Sequence, residues 1–483
     1  MTATNHRSTK SVIVIGAGLA GLSCAYELSE KNYQVTVLEA RNRPGGRVET
    51  LRGQCFSDSL FAESGAYWIN EAHSEVMSYI KKLGLQANLT EIAPHGKTLL
   101  YHVRDTRVPA TWGPTDPWPD SLKLSAQEKQ MGLGGIMGSM FCSDSALSST
   151  DEPEWPSSPL IKKYGGMSFL EFMGSEHQTS HGKYIPSAGA IELVRPFFAW
   201  WDDLDKVSAL ELIRDGVYAQ RLCSDRTNPS KWYTLNAGMD ALPNAFARKL
   251  GQSGMTIHYN APVVAIRKDQ NSVSATCLLP HGKKRFEVSG DYLVCAIPFS
   301  TLKNVQLPRL SEVKTKAISE LKYASVSRVY LECKDAVRDL ENGAGFTDLP
   351  IGNLLDMTFA QGDDRRGKIL QGFTIGQQAR DLAAMNEADR RALVLKHMSR
   401  VFPRVTAENI ENWAFKSWDD DPWALGAYPF FTPEQFVNLR DIATPEEPIY
   451  FAGEHTSTYS SWMEGAVQSG QRAAKEIIES GSR

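Results

Sequence analysis

The sequence predicts an α/β fold, and three stretches carry that expectation. Near the N-terminus an apolar run, Val12 to Ile15, passes through Gly16-Ala-Gly18-Leu-Ala-Gly21 into a helix-like segment, Leu22 to Leu28, and then into a second run, Gln34 to Leu38, that ends in Glu39. In the middle, Asp291-Tyr-Leu-Val-Cys-Ala-Ile-Pro298 reads as another buried strand. Near the C-terminus Ile449 to Ala452 passes through Gly453-Glu454 into a helix that begins near Trp462. Short apolar strands alternating with helices point to a parallel sheet covered on both faces.

The first stretch has the order a dinucleotide site needs, that of a Rossmann-like domain. Gly16 allows the tight turn, Gly18 lets the backbone approach a pyrophosphate, and Gly21 lets helix and strand pack closely. The helix N-terminus then turns its unpaired N–H groups toward the phosphates. Glu39, 23 positions after Gly16, is placed to accept both ribose hydroxyls and to repel a 2′-phosphate. Arg41-Asn-Arg43-Pro-Gly45-Gly46-Arg47 follows at once, so a second approach of backbone and guanidinium to the phosphates is expected. Alone it would pass for a solvated basic loop. The third stretch supplies its counterpart. A strand, an acidic turn at Gly453-Glu454 and a helix with Ala466, Val467, Gly470, Ala473, Ala474 and Ile477 on one face make a second anion or ribityl site. Two such ends suit FAD, which lies extended through its protein, better than NAD.

GAGLAGL…LEARNRPGGR at one end and YFAGEHT…WMEGAVQSGQRAA at the other resemble the flavin-containing amine oxidase family of monoamine, polyamine and L-amino acid oxidases. The resemblance covers nearly the whole chain. Phe430-Phe-Thr-Pro-Glu-Gln-Phe436 and Cys295-Ala-Ile-Pro-Phe-Ser300 look most like the L-amino acid oxidase branch. It implies an amine oxidase or p-hydroxybenzoate hydroxylase-like architecture. A Rossmann-like FAD-binding domain would be assembled from 8–89, 231–317 and 441–483, and a mixed-sheet substrate domain from 318–440. Residues 90–230, rich in proline, tryptophan and helix-like segments such as Ala188 to Trp201 and Ser208 to Gln220, read as a helical lid. Thr111 to Pro119 and Ser143 to Pro159 read as loops, Thr256 to Ile266 as one strand, and Val273 to Leu279 with Arg285 to Val288 as a hairpin around Pro280-His-Gly282.

Composition narrows the setting. A net charge of −4 without blocks of like charge favours neither nucleic acid nor an anionic membrane. Seven scattered cysteines, with no metal-ligand spacing, read as free thiols of a reducing compartment. No signal peptide, no run of 18 apolar residues and no membrane tail of the kind some monoamine oxidases carry are seen, so a cytoplasmic protein is expected. A monomer and a homodimer both stay open.

The resemblance also implies site residues. Trp418 falls where the family packs a tryptophan on the flavin, Met463 opens the helix of the second cofactor motif, and the backbone of Val263 faces the adenine side. Tyr428 and Trp462 fall on the two aromatic cage positions that orient the substrate amine. Ala427 stands where membrane monoamine oxidases have the cysteine bonded to flavin, so FAD is expected without a covalent bond. Glu63-Ser-Gly65-Ala66-Tyr-Trp68 resembles another flavin-facing loop, with Gly65 and Ala66 small enough to press backbone on the ring and Glu63 either binding a substrate ammonium or pairing structurally. Two positions depart from the pattern. Arg328 replaces the lysine that helps dioxygen at the flavin, keeping the charge but filling more space. Trp68 replaces the arginine with which venom-type L-amino acid oxidases hold the substrate carboxylate, leaving Lys183, Arg195, Arg221 and Arg328 as candidates. The aromatic Phe197-Phe-Ala-Trp-Trp201 serves either as side-chain pocket or as lid core. The expected reaction is oxidative deamination of an L-amino acid to a 2-oxo acid, ammonia and hydrogen peroxide, with dioxygen as acceptor. A carboxylate-free monoamine or polyamine as substrate, a dehydrogenase, and a flavin-binding module without oxidase activity are the alternatives.

Overall fold

A computed structural model describes residues 9–482 except 58, 93–98, 142–155, 157, 180–181, 201–202, 215–230, 271, 280–284, 340–343, 359–360, 363 and 438. Five parallel strands form one sheet in the order Thr256–His258, Gln34–Leu38, Ser11–Ile15, Tyr292–Cys295 and Ile449–Phe451. Val12 pairs with Val35 on one side and Tyr292 on the other, so the N-terminal strand sits at the centre. All three stretches that announced an α/β fold lie in this sheet. Its three strands Ser11–Ile15, Tyr292–Cys295 and Ile449–Phe451 are buried almost throughout, without alternation, because both faces of the sheet are covered, as parallel sheets require.

Helix Leu19–Ser29 and helix Met463–Gly481 pack closely across 444 residues of sequence, with the Ser23 hydroxyl donating to the Val467 carbonyl at 3.2 Å. A Cβ at Gly470 would stand 2.2 Å from the Ala20 carbonyl oxygen and 2.1 Å from Ser23 Oγ, so only glycine permits this approach. Helix Ala241–Gln252 closes the same layer around Phe246 and Leu250.

The second sheet has seven strands, ordered Ile410–Ser417, Val326–Cys333, Ile369–Ile375, Asn353–Asp356, Ala344–Thr347, Leu99–Val103 and Thr106–Ala110. Its last two strands correct the expectation that 90–230 is a helical lid. Leu99–Val103 is buried along its whole length and pairs parallel with Ala344–Thr347. It turns into Thr106–Ala110 through Arg104 and Asp105, both at positive φ, 49° and 59°. Such a two-residue turn is usually Asn-Gly or Asp-Gly, and Arg-Asp hides it from a composition scan. Other elements of that region are the helices Ala126–Phe141, Ser158–Tyr164, Phe169–Met173 and Ala188–Val194 and a small antiparallel pair, His177–Thr179 with Gly182–Tyr184. The last of these helices is cut short by Pro196, which continues as a 3₁₀ turn to Phe198. The second expected lid helix is described over 209–214, and its continuation to Gln220 lies outside the described residues.

Two further boundaries move. The strand expected over 256–266 is two, Thr256–His258 in the parallel sheet and Val263–Lys268 in a three-stranded antiparallel sheet with Val273–Leu278 and Arg285–Gly290. Pro262 lies between them and cannot donate to a ladder. The loop expected to Pro159 ends by Ser158, where a helix starts. Cys24, Cys55, Cys277, Cys295 and Cys333 are free thiols; Cys142 and Cys223 lie outside the described residues. Among the described residues no helix is long and apolar enough to cross a membrane.

Candidate active site

A cavity of about 1890 Å³ opens beyond the carboxyl ends of the parallel strands, where open α/β sheets bind ligands. It is lined at once by Gly16, Gly18 and Glu39 of the N-terminal motif and by Gly453, Glu454 and Met463 of the C-terminal one. Arg41, Gly46, Arg47, Gly65, Ala66, Val263, Arg328, Trp418, Tyr428, Trp462 and Trp68 complete the set of expected residues that reach it. Gly21 and Glu63 do not line it.

The glycines of the first motif act as steric requirements. Gly16 has φ +99°, and a Cβ on Gly21 would stand 2.0 Å from the Gly16 carbonyl oxygen. At Gly18 a Cβ would meet no described atom within 4 Å, so its open side faces the cavity. Gly18 is also the N-cap of helix Leu19–Ser29 and offers no side chain to cap it. The first N–H groups of that helix are therefore left for an anion. Glu39, 5% exposed, accepts from the Ala17 N–H at 2.7 Å with Oε2 and from the Arg41 N–H at 2.8 Å with Oε1. Burial pushes its carboxyl up, against those two backbone bonds. Each oxygen keeps a lone pair for a ribose hydroxyl. An uncapped helix end, a glycine face and a buried carboxylate on one wall fit the diphosphate and ribose of FAD, and the volume exceeds the roughly 300–1,000 Å³ of an ordinary ligand pocket.

The arginines were expected to reach phosphate; Arg41 and Arg47 line the cavity, and their guanidinium groups are paired with protein acids. Arg41 grips Asp421 with Nη1 at 3.0 Å and Nη2 at 2.8 Å. Lys416 bridges Asp421 at 2.8 Å and Glu49 at 3.1 Å, and Arg43 pairs with Glu49 at 2.6 Å. Arg47 pairs with Glu454 at 2.6 Å and donates to the Ala427 carbonyl at 2.7 Å. These chains of opposite charge fasten the 41–49 loop to the 416–421 loop and to the C-terminal motif. The physical reason is the acidic company: Glu49, Asp421 and Glu454 stand within ion-pair distance of these guanidinium groups. The Trp418 indole, 2% exposed, donates to the Ser64 carbonyl at 2.8 Å, which fixes that ring at the cavity wall.

Glu63 resolves to the structural alternative. Its carboxylate accepts from the Met239 N–H at 2.9 Å and from the Thr50 hydroxyl at 2.8 Å, away from the cavity. Desolvation raises its pKa to about 8. The neighbouring Gly65 is required for a different contact than expected: a Cβ there would stand 1.8 Å from the Arg47 carbonyl oxygen. The backbone of this loop is held from below by Arg328, whose Nη1 donates to the Glu63 carbonyl at 3.0 Å and the Gly65 carbonyl at 2.8 Å. Arg328 is 6% exposed, its guanidinium lies 5.0 Å from the Phe373 ring and 5.6 Å from that of Tyr67, and its Nε has no partner among the described residues. Of the other cations considered, Lys183 is exposed and paired with Glu176 at 2.8 Å, Arg195 is exposed and outside the lining, and Arg221 lies outside the described residues.

Beside Arg328 the wall is aromatic. Ring centroids step from Trp462 to Trp232 (5.9 Å), Trp68 (6.2 Å), Trp200 (5.8 Å) and Phe373 (4.8 Å). The Tyr428 hydroxyl donates to the Trp200 carbonyl, tying the cage position to the aromatic segment at 197–200. That segment lines the cavity through Phe197, Phe198 and Trp200; Trp201 lies outside the described residues. Sequence reasoning missed Trp232 and one face of helix Ala126–Phe141, with Met131, Met137 and Gly138. The signal was present in Gly132-Leu-Gly-Gly-Ile-Met-Gly138, four glycines with only apolar residues between them.

The flavin containing amine oxidoreductase family model matches residues 19–478. An L-amino-acid oxidase of Gloydius halys is 28% identical over 480 residues, covering 97% of this chain and 89% of its own. Wild-type putrescine oxidase bound to putrescine shares the fold with a TM-score of 0.76 at 21% identity, over 98% of this chain and 99% of that one. Cyclohexylamine oxidase from Brevibacterium oxydans IH-35A does so with a TM-score of 0.74 at 20% identity, over 98% and 100%. With a glycine cradle, a buried carboxylate and an aromatic end gathered around one cavity, the chain belongs to the flavin-containing amine oxidoreductase family.

Proposed function

We propose that the protein oxidises L-amino acids to 2-oxo acid, ammonia and hydrogen peroxide, with FAD held non-covalently. The observation that carries this is Arg328: a buried guanidinium on the cavity wall, without a carboxylate partner among the described residues, next to the aromatic rings. Nη1 is spent on two backbone carbonyls and the Tyr330 hydroxyl also stands within reach of the guanidinium, while Nε, without a partner among the described residues, is the N–H offered to a substrate carboxylate. Tyr428 and Trp462 flank the amine and exclude water from the α-carbon. FAD, when bound, would supply the two-electron acceptor for the hydride leaving that carbon, and dioxygen is the proposed final acceptor.

The distribution of acids argues against a diamine. Among the described lining residues the carboxylates are Glu39, Glu91 and Glu454. Glu39 holds backbone N–H groups, Glu454 pairs with Arg47, and Glu91 pairs with Lys231 at 3.3 Å. None is left for a second ammonium, which favours a substrate with one amine and one carboxylate. A carboxylate-free aromatic monoamine is the second reading, favoured by the same chain of rings.

Anaerobic mixing separates the two. L-phenylalanine should bleach the bound flavin, and 2-phenylethylamine, identical but for the carboxylate, should do so on the order of 100-fold more slowly. Equal rates would establish the amine reading. Because Ala427 offers no thiol for a bond to the cofactor, acid precipitation should release yellow FAD into the supernatant; colour retained in the pellet would refute non-covalent binding.

A further inference from the structure

Helix Ala126–Phe141 shows two faces. Leu133, Ile136 and Met140 are fully buried in the core, while Met131, Gly134, Gly135, Met137 and Gly138 line the cavity. Glycine inside a helix is destabilising relative to alanine, so each needs a reason. Three have one. Gly132 breaks the helix at φ 64°, ψ 178°. A Cβ at Gly134 would stand 2.8 Å from the Trp112 carbonyl oxygen, to which the Gly134 N–H donates at 3.0 Å. A Cβ at Gly135 would crowd Met131 Cβ at 3.0 Å.

Gly138 has none of these. Its φ is not positive, and a Cβ there would meet no atom of the described residues within 4 Å. What the missing side chain leaves is cavity space. One turn on along the same face, Phe141 packs against Phe198 with ring centroids 5.5 Å apart, and both line the cavity. Gly138 thus opens onto the same cavity that these rings and the Met137 thioether line, a surface suited to a bulky apolar group.

We propose that Gly138 sets the size of the substrate side chain, the space at its missing Cβ receiving the outer end of a large apolar substituent such as an aromatic ring. The inference rests on the amine substrate occupying this cavity and deepens the proposed function by naming its side-chain class.

The test is Gly138→Leu and Gly138→Ala, assayed as holoenzymes of checked flavin content on L-alanine, L-leucine, L-phenylalanine and L-tryptophan and on the four amines that lack the carboxylate. Gly138→Leu should lower kcat/KM for phenylalanine and tryptophan roughly tenfold or more, chiefly through KM, with alanine within about twofold of the parent. Gly138→Ala should move selectivity in the same direction by less, with a melting temperature equal to or above the parent's. The carboxylate axis of the panel is independent of the size axis. Faster turnover of the amines would overturn the amino acid reading and leave the size effect legible. A loss of the same factor for every side chain, in both variants, would overturn the role of Gly138.

Discussion

Replacing Arg328 with methionine is expected to lower kcat/KM for L-amino acids by a factor on the order of 10²–10³, about 3–4 kcal/mol. A desolvated carboxylate that loses its guanidinium is left unpaired in an aromatic wall, and that is far more costly than losing an exposed ion pair. The matching amine, which has no carboxylate to strand, should lose only about threefold. Arg328→Lys should recover part of the amino acid activity, because charge returns but the planar fork does not. The comparison is needed because Nη1 also holds the Glu63 and Gly65 carbonyls. If amine and amino acid suffer equally, with flavin content reduced, the guanidinium only supports the loop and the carboxylate assignment falls.

Truncating Tyr428 or Trp462 to alanine should slow reduction of the bound flavin roughly 100-fold, since a misplacement of about 1 Å costs that much. Both rings are half-buried and open to the cavity, unlike the fully buried aromatic core. A purely packing role would show instead as a lower melting temperature, with reduction per bound flavin near the parent rate. Tyr428→Phe keeps the ring and removes the bond to the Trp200 carbonyl. It should retain most of the rate if the ring orients the amine, and lose it if the hydroxyl mainly anchors the 197–200 segment. Rapid anaerobic mixing with L-phenylalanine, normalised to flavin absorbance, separates the cases.

The cofactor wall was legible because its requirements are local. Gly16, Gly18 and Gly21 are dictated by backbone angles and contacts within one turn, and Glu39 by the end of the next strand. The partners of Arg41 and Arg47 were not legible, because Asp421 and Glu454 lie hundreds of residues away and nothing in a basic loop says which acid will face it. Glu63 was balanced between two roles for a related reason: Met239, whose N–H it accepts, lies 176 residues on, and Thr50 faces it only through the pairing of two very short strands. The strands at 99–103 and 106–110 escaped because their turn, Arg104-Asp105, lacks glycine and because the region around them is rich in helix signals. Gly138 could be noticed in sequence but not interpreted, since an open Cβ position is a property of space and not of composition.

The close approach of Gly470 to Ala20 and Ser23 has a temporal consequence. Synthesis lays down the glycine turn long before the helix that backs it, 444 residues separating Ser23 from its partner Val467, so a growing chain carries half a cradle over all that length. The diphosphate wall at Gly18 is complete only once Gly453, Glu454 and Met463 have left the ribosome and the final helix has docked. Retention of the flavin is thereby tied to the docking of that helix, which works as a latch: a chain without it holds the recognition motif in its sequence and yet lacks the wall that closes the compartment.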